Sequence, residues 1–133
     1  TTTGVLVGTL EGHTDSVLGL ACMTSGDIVS GSYDDTVKVW HDYACVRTLR
    51  GHAGAVYTLA VSPLDDIIVS GSVDKTAKVW SAATGECMAT LEGHTWPVMA
   101  VCVLDNGDIV TGSSDSTVRV WARGSWTCTA VYK

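Results

Sequence analysis

The sequence predicts an all-β repeat protein made of four-stranded antiparallel units, and three observations predict it. The first is a stretch present three times: Ser30-Gly31-Ser32-Tyr33-Asp34-Asp35-Thr36-Val37-Lys38-Val39-Trp40, then Ser70 to Trp80, then Thr111 to Trp121. In each copy a hydroxyl residue stands four before an Asp and a Trp stands six after it. The second is a Gly-His pair ahead of each copy, at Gly12-His13, Gly51-His52 and Gly93-His94, with His-to-Trp offsets of 27, 28 and 27. Fixed spacing of several residue types, repeated about every 40 residues, marks a repeat architecture. The third is a succession of short apolar runs bounded by turn residues, with no segment of helical period.

The elements follow in order. Gly8-Thr9-Leu10-Glu11-Gly12-His13 parallels Ala89-Thr90-Leu91-Glu92-Gly93-His94, so residues 4–11 are expected to form one strand, the last of a preceding unit. Ser16 to Met23, Ala55 to Val61 and Pro97 to Leu104 are apolar or small without clean alternation, which reads as first strands buried on both faces. Turns rich in Gly, Asn, Asp and Pro follow (Thr24 to Asp27, Ser62 to Asp66, Asp105 to Asp108), joining antiparallel neighbours. Ile28 to Ser32, Ile67 to Ser72 and Ile109 to Ser113 read as second strands. A tight turn at each motif Asp leads to a third strand, in which Thr36, Lys38 and Trp40 face one way and Val37 and Val39 the other. Cys87 to Leu91 and Thr127 to Tyr132 read as fourth strands. A four-stranded sheet apolar on both faces needs neighbours to cover it.

Composition narrows the function classes. The 133 residues carry a net charge of −6, which disfavours a phosphate-tracking nucleic-acid surface, and no apolar run reaches the ~18 residues that span a bilayer. Five cysteines (Cys22, Cys45, Cys87, Cys102, Cys128) show no Cys-x-x-Cys spacing and are expected to be free buried thiols, as in a reducing compartment.

Gly-His followed by Ser/Thr-Gly-Ser-x-Asp-x-Thr-x-Lys/Arg-Val-Trp resembles the WD-repeat (WD40) β-propeller family over essentially the whole chain. The Asp that follows Trp in the family's eponymous pair is replaced by His41, Ser81 and Ala122. The resemblance implies β-propeller blades of four antiparallel strands, three in this chain: a single segment over 1–133, with 1–11 as the last strand of a preceding blade and repeats at 12–50, 51–92 and 93–133. Propellers close with about four to eight blades. The remaining blades are therefore expected from a longer chain, or from a second copy giving a homodimer of six.

The resemblance also assigns three structural tetrads: His13, Ser30, Asp34 and Trp40; His52, Ser70, Asp74 and Trp80; His94, Thr111, Asp115 and Trp121. Their chemistry agrees, because indole N–H only donates, hydroxyl and neutral imidazole do both, and carboxylate only accepts. A directed chain Trp→Ser/Thr→His→Asp satisfies every member. Ser, His and Asp together invite comparison with a nucleophilic triad. Threefold repetition, an indole on each hydroxyl and the lack of a Gly-x-Ser-x-Gly elbow argue against that reading. With three of four histidines in tetrads and His41 alone, no metal site or other cofactor is expected.

Binding is the better prospect. The family's contacts concentrate on the face bearing the Gly-His loops and Asp turns, and the resemblance carries them here to Leu18, Tyr57 and Met99, to Ser16, Ala55 and Pro97, and to Tyr33, Val73 and Ser114, with Trp96 beside them. This set has no Arg or Lys, which disfavours recognition of phosphorylated segments and suits apolar side chains of a peptide. The expected function is a non-enzymatic scaffold binding a protein or peptide, not nucleic acid or membrane, inside the cell (cytoplasmic or nuclear). The alternatives are a purely architectural segment of a larger assembly and, least favoured, a propeller-based enzyme.

Overall fold

A computed structural model describes residues 4–133, and among them it contains twelve strands and no helix. The strands are β1 (Val17–Cys22), β2 (Ile28–Ser32), β3 (Val37–His41), β4 (Ala44–Leu49), β5 (Val56–Val61), β6 (Ile67–Ser72), β7 (Ala77–Ser81), β8 (Cys87–Leu91), β9 (Val98–Val103), β10 (Ile109–Ser113), β11 (Val118–Trp121) and β12 (Cys128–Tyr132). They form three antiparallel meanders, β1-β2-β3-β4, β5-β6-β7-β8 and β9-β10-β11-β12. The second strands begin and end where the sequence places them, because turn residues bracket each one.

Period-2 alternation decides which face each blade turns to which neighbour. Val29, Val37, Val39 and Leu49 of the first blade pack on Val56, Leu59, Ile68 and Trp80 of the second. The second blade's other face, with Ile67, Val69, Ala77, Val79 and Leu91, packs on Ile109 and Trp121 of the third. One junction rule thus operates twice: an aliphatic face meets the indole face of the next blade. Only the middle blade is covered on both sides, and β6 is buried along its whole length.

Close approach at these junctions requires small residues. A Cβ at Gly71 would stand 2.7 Å from Thr58 Cγ2 and 2.8 Å from Val98 Cγ1. One at Gly31 would stand 2.6 Å from Val56 Cγ1. The Gly of the Ser-Gly-Ser motif is therefore a packing requirement at both junctions, whereas Gly112, on the uncovered flank, meets only Ala100 Cβ at 3.8 Å.

Three sequence expectations need correction. Residues 1–3 lie outside the described residues, and Gly4 to Glu11 form no strand. Leu10 nevertheless lies beside Trp40 and Ile28, the place Leu49 takes beside Trp80 and Leu91 beside Trp121. The segment occupies a fourth-strand position, but no neighbouring strand offers it backbone hydrogen bonds. The first strands are also not uniformly buried. Of the three, β5 is buried or half-buried, whereas β1 and β9 are largely exposed, since each borders an uncovered flank. Lastly, the five cysteines are free but exposed: Cys45, Cys87 and Cys128 lie on outermost strands, and Cys22 and Cys102 on the uncovered β1 and β9.

Candidate functional site

The tetrads assemble as the donor–acceptor logic requires. Trp40 Nε1 donates to Ser30 Oγ at 2.8 Å, and Ser30 Oγ lies 2.7 Å from His13 Nε2. His13 Nδ1 lies 2.7 Å from Asp34 Oδ2. The second blade repeats this at 2.8, 2.6 and 2.8 Å, and the third at 2.9, 2.7 and 2.8 Å with Thr111 as the hydroxyl. Since indole must donate to the hydroxyl and carboxylate must accept, each His carries its proton on Nδ1 and accepts on Nε2.

Each carboxylate is further saturated by groups outside the tetrad. Thr36 gives Asp34 Oδ1 its hydroxyl at 2.6 Å and its N–H at 2.9 Å, and Thr14 N–H reaches Oδ2 at 3.1 Å. Thr76 with Ala53, and Thr117 with Thr95, do the same for Asp74 and Asp115. Burial opposes ionisation of these aspartates. Hydrogen bonds from Thr, His and backbone N–H outweigh it and hold all three well below the usual carboxylate range. The sequence offered Thr36, Thr76 and Thr117 as a repeated position without a role; the structure makes them the principal clamp on the turn. Ser32, Ser72 and Ser113 were likewise missed. Each hydroxyl donates to a carbonyl of the Gly-His loop (Asp15, Gly54, Trp96) and accepts the N–H of the motif Asp. No hydroxyl or imidazole in these sets is left free to attack a substrate. The fourth histidine is not alone: exposed His41 Nδ1 lies 2.6 Å from Asp27 Oδ1, and that hydrogen bond, with the charges of Asp42 and Asp27, raises its pKa.

Clamped loop and turn together form one edge of the blades, here called the upper rim. Tyr33 N–H donates to Ser16 C=O at 2.9 Å, Val73 to Ala55 at 3.0 Å and Ser114 to Pro97 at 3.2 Å. The expected contact positions of each blade are thereby tied together in pairs. Between the first two strands of every blade the ladder skips one residue: Val17 pairs Ser32 and Gly19 pairs Gly31, Val56 pairs Ser72 and Thr58 pairs Gly71, Val98 pairs Ser113 and Ala100 pairs Gly112. The skipped residues are Leu18, Tyr57 and Met99. A β-bulge re-aims the side chain of its extra residue, and here it does so at the same rim position three times.

The rim is apolar and partly exposed. Leu18 is 37% exposed, Tyr33 46%, Met99 47% and Trp96 61%. Tyr33 and Tyr57 meet edge to face across the first junction, with centroids 6.1 Å apart and planes at 76°. Val73 and Pro97 are half-buried, and Ser16 and Ser114 are exposed. Ala55 is only 6% exposed, so it offers a partner almost no surface; its part is the carbonyl that holds Val73.

Four-stranded meanders packed face to face, each pinned by an indole–hydroxyl–imidazole–carboxylate relay, define blades of a β-propeller. The family model described as "WD domain, G-beta repeat" matches residues 4–41, 43–81 and 85–122, and the chain belongs to this WD40 family. It is similar to WD repeat-containing protein pop1 of Schizosaccharomyces pombe, 48% identical over 66 residues, covering 47% of this chain and 8% of that protein. Cell division control protein 4 of Candida albicans is 37% identical over 104 residues, covering 76% of this chain and 15% of that protein. Nuclear distribution protein nudF 1 of Talaromyces marneffei is 34% identical over 105 residues, with 74% and 23% covered. The chain thus spans less than a quarter of the length of each of these relatives.

Proposed function

We propose that this chain is a non-catalytic protein-interaction platform, holding a peptide or protein partner on the upper rim through Tyr33, Tyr57, Trp96, Leu18 and Met99. Val73, Ser114, Ser16 and Pro97 flank those contacts. One observation carries the reading: the bulge in each blade turns Leu18, Tyr57 and Met99 onto the rim, while the hydroxyl, imidazole and carboxylate of each tetrad are spent on one another. Exposed aromatic and Met side chains on a rigid rim suit burial of a partner's apolar groups. The names of relatives, in cell division control and nuclear distribution, support an intracellular setting, cytoplasmic or nuclear. The test is Tyr57→Ala with Tyr33→Ala, read by pull-down beside circular dichroism. Loss of bound partner with unchanged folding is the expected result; unchanged capture by both variants rejects the platform.

A second reading rests on the flanks. The first blade's indole face is covered only around Leu10 and leaves Val17 and Leu20 exposed, and the third blade's aliphatic face leaves Val118 exposed, the two halves of the junction rule. In this reading the chain is an architectural segment that docks further blades, from a longer chain or a second copy. Light scattering after size exclusion separates them: a discrete dimer indicates self-closure, and a poorly folded monomer or aggregate indicates that other blades are required.

A further inference from the structure

The three blades present equivalent backbone with unlike chemistry. The residue after each motif Asp adopts the same left-handed conformation, with φ of 70° at Asp35, 74° at Lys75 and 70° at Ser116. The three side chains therefore leave their turns in matching directions. Two residues after each His stand Asp15, Gly54 and Trp96. At these two positions the first blade shows two carboxylates, the second one ammonium and the third an indole and a hydroxyl. Asp15 adjoins Ser16, whose carbonyl accepts from Tyr33 N–H and whose own N–H donates to Asp15 Oδ1 at 2.7 Å. Asp35 lies in the same turn as Tyr33, so both acids stand on the loop and turn that carry Tyr33 of the Tyr33–Tyr57 pair. The one Lys or Arg ion pair among the described residues is Arg123–Asp65, so neither acid is neutralised by a cation of the chain.

Resting on the platform reading, we infer that the rim selects a basic, apolar segment of a protein partner. Lys or Arg of that segment lies over the first blade against Asp15 and Asp35. Its aromatic or aliphatic side chains run across Tyr33–Tyr57 towards Val73, Met99 and Trp96. Opposite charge steers and orients such a segment, while like charge at Lys75 excludes a second cation from the middle blade. A cation beside the two tyrosines also gains from their ring faces.

Three synthetic fluorescent peptides test this on the intact chain. They share one Leu/Trp-containing core and differ in carrying two Lys, two Gln or two Glu at one end. The Lys peptide is expected to bind about fivefold tighter than the Gln peptide, with the Glu peptide weaker still. That ranking flattens at about 1 M salt, where screening is nearly complete. In the Asp15→Asn, Asp35→Lys variant the ranking inverts, and Lys75 shows that a lysine fits this turn conformation. Tyr57→Ala weakens all three peptides alike. Equal binding of the three, still lost in Tyr57→Ala, overturns the charge selection and leaves the platform standing. Preference for the Glu peptide overturns it in favour of acidic or phosphorylated segments. Binding untouched by Tyr57→Ala, or no binding of any peptide, overturns both.

Discussion

At the residue scale the decisive feature is an aspartate that accepts four hydrogen bonds in a place nearly closed to water. Asp34, Asp74 and Asp115 are stable as anions because imidazole, hydroxyl and two amides replace their hydration. Their native pKa values lie below the unfolded value near 4, so the folded state binds fewer protons than the unfolded one. The stability they contribute is complete above that value and drains as pH falls through the native one. Each such group adds up to about 1.4 kcal/mol per pH unit to the acid slope, and the three together about 4 kcal/mol. Urea unfolding at pH 7, 5, 4 and 3 should show this loss below about pH 4. Asp115→Asn should remove about a third of that slope; an unchanged slope would mean that the native pKa of Asp115 is not held below its unfolded value.

At the scale of the element, the third and fourth strands of the first two blades carry a cross-strand pair that the third blade lacks. Lys38 Nζ donates to Thr48 Oγ1 at 2.9 Å, and Lys78 Nζ to Thr90 Oγ1 at 2.8 Å. In the third blade Arg119 stands opposite Val131, and Arg119 Nε is buried with no partner. An unsatisfied buried donor costs about 1–3 kcal/mol. The double variant Arg119→Lys, Val131→Thr rebuilds the pair of the other blades and should stabilise the chain by about 1 kcal/mol in urea melts. The Val131→Thr change alone, set against a lysine-only variant, isolates the coupling in a double-mutant cycle.

At the scale of the molecule, coverage decides stability. The middle blade has neighbours on both faces, and the outer two have one each. Native-state hydrogen exchange should therefore slow in the order β1 and β12, then β2 and β10, then β6, with β6 opening only on global unfolding. Equal protection in all three blades would contradict this and point to covered flanks in solution. Arg123, hydrogen-bonded to Asp65 through Nε at 2.8 Å, fastens the second junction at the lower edge. The first junction has Ala82 at the corresponding place, so it is expected to open more readily.

The sequence by itself determined the repeat, the strand order and the blade count, because each is a local or fixed-offset property. The resemblance assigned the tetrads, and the donor and acceptor chemistry of indole, hydroxyl, imidazole and carboxylate agrees with that assignment. It also marked Leu18, Tyr57, Met99, Tyr33 and Trp96 as rim positions, by resemblance alone. Only the tertiary structure decided what depends on neighbours. Gly4 to Glu11 has the residues of a strand but no strand to pair with. Ser16 to Met23 and Pro97 to Leu104 have core-like composition but a solvent-facing flank. Ala55 sits at a contact position but beneath the surface. The bulges that turn Leu18, Tyr57 and Met99 onto the rim exist only as a mismatch in register between two strands, which no single strand's sequence contains.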